Sequence, residues 1–329
     1  YLTNVVKVRP PSNQIDVFYN DAKRTNPSAL MLQYREWLLF ELDRIKPNIV
    51  VALGNEALKA LTEKSGIEKW RGSLIQGYRG LKVLPTYHPA YVIRMYGFRT
   101  ILELDLGKAE RHSHERAMPI DDHRFIIDPT FPQAVETLGT IKRERRRVSF
   151  DIETCGKYTR CIGFAWSSKE AICIPLMSNR HGVIGSNDNR LIAISSQLPS
   201  GSHWQPEEER IILNLIRSIL EDPDITVDAQ NYTFDSTILA DEYGIHIRGL
   251  GCDTMLAHHA CYPELGKPAG SDDPRAPSSS GKKSLDFLCS IWTDVPRYSD
   301  YNAADDRSTW TYNCFDVCVT YEVREALDK

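Results

Sequence analysis

No cysteine occurs in the first 154 residues of this 329-residue chain. All eight lie between Cys155 and Cys318, with no CxxC pair and no histidines at zinc-site spacing. A disulfide scaffold and a cysteine-held metal are thereby excluded from the first half, and the later thiols read as reduced and structural. Cys314 and Cys318, four apart on an expected helix, leave a ligand-pair reading open beside the commoner one of core packing. Long apolar runs are also missing: none approaches the roughly 18 residues of a membrane span, and no charged-then-apolar leader opens the chain. The reading is a soluble, intracellular protein with no membrane partner. Methionine is absent from position 1, where Tyr1 stands, and Tyr1 to Val8 (YLTNVVKV) reads as a strand, so the chain is expected to be a piece of a longer polypeptide.

A hydrophobic content of 42% over this length is enough for two cores, and two domains are expected. Residues 1–118 hold 18 Lys/Arg against 12 Asp/Glu, a net of +6, while the remainder holds 22 against 32, a net of −10. A basic half suits a polyanion, and an acidic half is either a solvated surface or a concentration of carboxylates around metal ions.

Between Leu30 and Lys69 the pattern runs helix, strand, helix: MLQYREWLLFELDRI has helical spacing, Asn48 to Leu53 is a buried strand, and Gly54 turns into NEALKALTEK. With a further strand over Leu81 to Leu84 followed by TYHPAYVIR, this predicts an α/β domain with a parallel sheet. RHSHERAMPIDD, residues 111–122, is polar and aperiodic, which places domains at 1–112 and 123–329 with a linker over 113–122. Beyond it the pattern predicts a strand (Arg124 to Ile127), a helix (Phe131 to Lys142), a strand carrying RRVSFDIETC, and a hairpin with Ser167, Ser168 and Lys169 near its tip. Helices are expected over Glu207 to Leu220 and from Phe234 to Tyr243, with a strand over Thr226 to Ala229. Ser178 to Trp204 and Pro263 to Ser284 read as long polar loops of unassigned role.

Three acidic groupings carry the chemistry. Asp151 and Glu153, two apart on a strand, share a face and can offer oxygens to one cation. NYTFD, Asn231 to Asp235, follows a strand and opens a helix, so Asp235 points to the end of the sheet where α/β proteins place their sites. YNCFD, Tyr312 to Asp316, puts a phenol and a carboxylate one helical turn apart. Singly, each is also explained as a solvated edge, a helix N-terminal charge or an exposed acid.

In this order, DxE, NxxFD and YxxxD resemble the three motifs of the DnaQ-like 3′–5′ exonucleases. HRFIIDPTFPQAVETL, ILADEYGIHIRGLGCDTMLAHH and KKSLDFLCSIWTDVPRY, between and around them, resemble the proofreading domain of phage-type family A DNA polymerases. The resemblance implies an RNase H-like mixed sheet and two Mg²⁺ or Mn²⁺ ions. It makes Asp151 the bridging ligand, puts Glu153 and Asp316 on the nucleophile side and Asp235 on the leaving-group side. Tyr312 would orient the attacking water, Asn231 fix the turn before Asp235, Phe234 lie in the core and Thr154 touch the terminal nucleotide. The substrate implied is single-stranded or frayed 3′ DNA, with a polymerase domain in the full-length chain and a bacterial or phage-infected cytoplasm as the compartment. A free-standing exonuclease on RNA or DNA, and a non-catalytic DNA-binding or replisome-docking module, are the alternatives.

YLTNVVKVRPP, IKPNIVVALGNEALKAL, KWRG and TYHPAYVIR resemble the later part of family 4-type uracil-DNA glycosylases over about residues 1–110. That likeness implies an incomplete glycosylase-like α/β domain in which Asn4 reads a base edge and His88 faces the uracil oxygen. Arg71, Lys82, Arg94 and Arg99 are candidate phosphate contacts or solvated surface charges, and Tyr87 and Tyr91, beside His88 and Pro89, either stack on a base or simply pack. Two cysteine positions of the iron–sulfur members are occupied by Val8 and Tyr34, so no cluster is expected.

Overall fold

The computed structural model describes residues 1–156, 158–178, 201–265, 283–303 and 305–328. Most of the two polar loops expected at 178–204 and 263–284 lies outside the described residues. The chain divides into two compact units, Tyr1–Ile120 and Asp121–Lys329.

In the first unit, β1 (Val50–Leu53) pairs parallel with β3 (Lys82–Thr86), and the two-residue β2 (Ile75–Gln76) pairs antiparallel at the far edge. The expected parallel sheet is therefore parallel only at β1 and β3. Helix α1 (Ala29–Ile45) starts at Ser28, whose hydroxyl accepts from Met31 N. It buries Leu38, Leu39 and Leu42 against Ala52, Ala60, Leu61 and Val83, joined by α2 (Asn55–Thr62). The short helices α3 (Ile67–Trp70) and α4 (Pro89–Arg94) and the longer α5 (Arg99–Arg111) complete the unit.

Tyr1 to Val8 is not a strand. It pairs with no strand edge among the described residues, and a strand needs such a partner for its N–H and C=O groups. Thr3 and Lys7 instead bond the Glu41 carboxylate, and Val5 packs on the α1 core. Part of the polar 113–122 stretch is tied to this unit: the buried Lys82 ammonium donates to the carbonyls of Glu115 (2.6 Å) and Ala117 (3.0 Å).

The second unit is a six-stranded sheet in the order β4-β7-β6-β5-β8-β9. Its strands are β4 (Arg124–Ile126), β5 (Val148–Cys155), β6 (Tyr158–Ala165), β7 (Glu170–Pro175), β8 (Val227–Ala229) and β9 (Leu250–Asp253). Only β6 runs against its neighbours. One face packs Val148, Phe150 and Ile152 against α6 (Phe131–Glu144), α7 (Pro206–Leu220) and α8 (Tyr232–Tyr243). On the other face Cys161, Ala165, Ala171 and Cys173 meet Trp310, Cys314, Val317 and Cys318 of the 22-residue α11 (Asp306–Leu327). All eight thiols are free, and Cys314 and Cys318 are core residues. Helices α9 (Thr254–Cys261) and α10 (Leu285–Trp292) lie between, α10 burying Leu288 and Cys289 against Val319 and Val323 of α11. No helix among the described residues is long and apolar enough to cross a membrane.

Candidate metal centre and active site

The period of two in β5 sorts its side chains. Phe150 and Ile152 enter the core under α6 to α8, so Ser149, Asp151 and Glu153 face α11. That helix is held close at two points. Buried Ser149 donates to the carbonyl of Val317 at 2.6 Å, and Gly163, paired with Asp151 across β6, leaves room for the Asn313 side chain. A Cβ at Gly163 would lie 2.9 Å from Asn313 Cγ and 3.0 Å from Val317 Cγ1. The β5–β6 register shifts between Glu153 and Thr154, so the strand bends just past the second acid, as a bulge does.

Each motif arrives on its own element, and three acids converge: one carboxylate oxygen from each of Asp151, Glu153 and Asp316 lies within 4.8 Å of the others. Asp235, 3% exposed on the first turn of α8, stands outside that trio, yet its charge acts on Asp151 and Glu153. Burial, then the charges of Asp235, Asp316 and Glu153, raise the Asp151 carboxyl well above the usual carboxylate range. Glu153 is pushed up to about 8 by burial and by Asp316 and Asp235, with Arg160 opposing. Asp235 is pushed up to about 8 by burial and the charges of Asp253 and Asp316. Asp316 reaches about 7 through burial, although the hydroxyls of Tyr298 and Tyr312 bond it and pull the other way. Four crowded acids that resist ionising together are a site in want of positive charge.

Tyr312, whose hydroxyl bonds Asp316, is also shifted upward by burial and by the charges of Asp316 and Glu153, so its phenol keeps its proton at neutral pH. Tyr301 stacks on the Tyr312 ring at 4.0 Å. Thr154 lies just beyond the bulge, opposite Thr159. Asn231, at the N-cap of α8, takes the left-handed backbone (φ 59°) that asparagine tolerates, and its side chain makes no capping bond. The capping is done by Asp253, which accepts from the backbone N–H of Asn231 (3.2 Å) and Tyr232 (2.9 Å) and also from Met255 and Leu256 at the start of α9. Phe234, expected in the core, is 52% exposed, because the periodicity of α8 gives its buried positions to Asp235 and Leu239.

Asp253, Asn313, Tyr298, Ser149 and Gly163 all went unassigned in the sequence. Asn313 was within sight, one residue after the tyrosine of the third motif, and Asp253 stands at a helix start, as capping residues do. Tyr298 lies in an irregular segment eighteen positions from its partner, and spacing carries no signal for it.

In the first unit His88 is exposed and caps α4, its Nδ1 accepting from Ala90 N at 3.1 Å, which leaves the proton of the neutral ring on Nε2. Gly54 permits that placement, since a Cβ there would lie 3.1 Å from His88 Cβ. Asn4 and Arg94 are exposed, and no hydrogen bond joins Asn4 to His88 among the described residues. Three proposed phosphate contacts are engaged elsewhere. Arg71 is buried and paired with Asp105, which also accepts from Thr86. Lys82 bonds the two carbonyls named above, and Arg99 pairs with Glu103 at 2.7 Å. Tyr87 is buried against Phe98, so it cannot wedge into a base stack; Tyr91 is half-buried in the same cluster.

Comparison with known proteins agrees with this division. The uracil DNA glycosylase superfamily matches residues 1–104, and the type-4 uracil-DNA glycosylase of Thermotoga maritima is 36% identical over 114 residues, 33% of this chain and 54% of the relative. The DNA polymerase of Bacillus phage SP01 is 25% identical over 270 residues, 78% of this chain and 28% of that protein. The chain thus spans about half of that glycosylase and about a quarter of that polymerase. Among solved structures, RNase D of Trypanosoma brucei in complex with RNA U12 overlaps at 13% identity and a TM-score of 0.41, covering 63% of each chain. The 3′-5′ exonuclease family of the DNA polymerase A type matches residues 133–329, more than half of the chain and the whole of the acidic site, and the chain belongs to that family.

Proposed function

We propose that residues 123–329 hydrolyse DNA phosphodiesters from the 3′ end, as the proofreading unit of a family A DNA polymerase acting in replication. The observation that carries this is the convergence of Asp151, Glu153 and Asp316 to within 4.8 Å, with the charge of Asp235 acting on Asp151 and Glu153. An all-oxygen donor set whose members raise one another's pKa suits hard divalent cations, so Asp151, Glu153, Asp235 and Asp316 would hold two Mg²⁺ or Mn²⁺. When bound, such ions make a water nucleophilic and stabilise charge on the departing 3′ oxygen.

The chain's own residues do the rest. Asp151, at the centre of β5, would hold both ions, with Glu153 and Asp316 on the nucleophile side and Asp235, on a separate helix, on the leaving-group side. Tyr312 orients the water by a hydrogen bond, since burial keeps its phenol protonated. Thr154, past the register shift, would touch the terminal nucleotide, and Asn231 would set the turn that delivers Asp235. The substrate is single-stranded or frayed 3′ DNA, the partner a polymerase domain in a longer chain, and the compartment the cytoplasm of a bacterium or phage-infected cell. In residues 1–112, joined through 113–122, the exposed His88, its Nδ1 taken up by Ala90 N, would have an Nε2 proton to offer a base oxygen, while Asn4 and Arg94 remain at the surface.

The test is digestion of matched 5′-labelled deoxyribo- and ribo-oligonucleotides with Mg²⁺, Mn²⁺ or EDTA. Metal-dependent shortening from the 3′ end, faster on DNA, is the expected result. Faster loss of RNA would reassign the substrate, and no shortening with either metal would leave a binding module.

A further inference from the structure

Two uncharged residues outside the acid set touch its carboxylates. The hydroxyl of Tyr298, from the segment before α11, donates to Asp316 Oδ1 at 2.7 Å. The amide of Asn313, 0% exposed on α11, donates to Asp151 Oδ2 at 3.0 Å. Both are built in. Tyr298 is clamped by Phe315, stacked at 4.8 Å and 20°, and its ring lies 5.7 Å from that of Tyr312. Asn313 is inserted against Gly163, where any larger residue would collide with it.

The orientation of Asn313 follows from its surroundings. Were the amide turned over, its oxygen would face the backbone carbonyl of Asp151, 3.4 Å from the NH₂ group, acceptor against acceptor. With the NH₂ group toward Asp151, Oδ1 lies against Gly163 without a hydrogen-bond partner among the described residues. A buried amide oxygen left without a partner forfeits its hydration with nothing in return, so the fold retains Asn313 at some expense to its stability. An apolar residue of similar volume would pack there without that penalty, which points away from a purely structural role.

We propose that Tyr298 and Asn313 are positioning residues that set metal affinity. Each holds one named oxygen of a carboxylate, Asp316 Oδ1 by Tyr298 and Asp151 Oδ2 by Asn313, and so fixes the direction in which that carboxylate is presented. Neither adds charge, so the site keeps its full negative complement for cations. Partners of this kind behind a metal ligand are worth about ten- to a hundredfold in affinity. The proposal rests on the exonuclease reading above.

The experiment is calorimetric titration of the 329-residue chain with Mn²⁺, beside hydrolysis of a 5′-labelled oligonucleotide over a Mn²⁺ series, for the wild type, Tyr298→Phe and Asn313→Ala. Both substitutions should weaken Mn²⁺ binding about tenfold or more. The Mn²⁺ needed for half-maximal rate should rise in parallel, rate should recover at high Mn²⁺, and KM for the oligonucleotide should hold. Tyr298→Phe preserves ring and volume, so it decides the matter by itself if Asn313→Ala fails to fold. Mn²⁺ affinities within twofold of the wild type would overturn the proposal while leaving the exonuclease reading intact. A wild type that neither takes up Mn²⁺ nor cleaves DNA would remove the reading and the proposal together.

Discussion

At Gly163 a missing side chain decides how near α11 comes to β5. Replacing it with alanine forces Asn313 and Val317 back from the strand that carries Asp151 and Glu153. Gly163→Ala is expected to lose about 1–3 kcal/mol in urea melts and at least tenfold in hydrolysis. The acids make a second residue-scale prediction. Glu153 and Asp235 titrate near 8 and Asp316 near 7 in the folded chain, against about 4 when unfolded. A carboxyl whose folded pKa is raised stabilises the fold fully below its unfolded pKa and loses that contribution as pH rises through the folded one. The Tm of the metal-free protein, followed by calorimetry, should therefore fall progressively between about pH 4 and pH 8, and Mn²⁺ should restore it most at the alkaline end. For the same reason Asp235→Asn should leave the metal-free Tm unchanged or higher at pH 8, while hydrolysis drops roughly a thousandfold. The motif acids were legible because spacing of two on a strand and four on a helix survives folding as a shared face. Phe234, Arg71 and Lys82 were misread because the sequence shows what a side chain is and not whether its helix face or ion-pair partner leaves it free.

Among elements, α8 brings Asp235 to the site, and Asp253 ties the start of α8 to that of α9 with four backbone bonds. Asp253→Ala should destabilise the protein by about 2 kcal/mol in urea titration. Its hydrolysis should fall by more than any change in folded population explains, because Asp235 loses its support. Long elements were readable: α1, α6, α7 and β5 appear where periodicity put them, with ends shifted by a residue or two. The short ones were not. The four residues of β9 carry two polar or flexible positions, Gly251 and Asp253, and α10 has only eight residues after a stretch rich in Pro, Gly and Ser. YLTNVVKV misled in the opposite direction, since alternation predicts a strand only where an edge is there to receive it.

For the whole molecule, the charge reversal near residue 118 falls close to the division between the compact units, a property of composition that needs no structure to see. Each unit has its own buried core, and all four acids, Tyr312, Tyr298 and Asn313 belong to Asp121–Lys329. In the full chain His88→Ala should therefore leave the exonuclease rate within twofold of the wild type; a tenfold drop would mean that both units act on one substrate path.

The most direct measurement of the central claim is the single-turnover rate at which a 5′-labelled single-stranded DNA is shortened in Mg²⁺, for the wild type and for Asp151→Ala. The account predicts a ladder descending from the 3′ end in the wild type, abolished by EDTA and absent from the variant. A variant that still produces the ladder within threefold of the wild-type rate would contradict it.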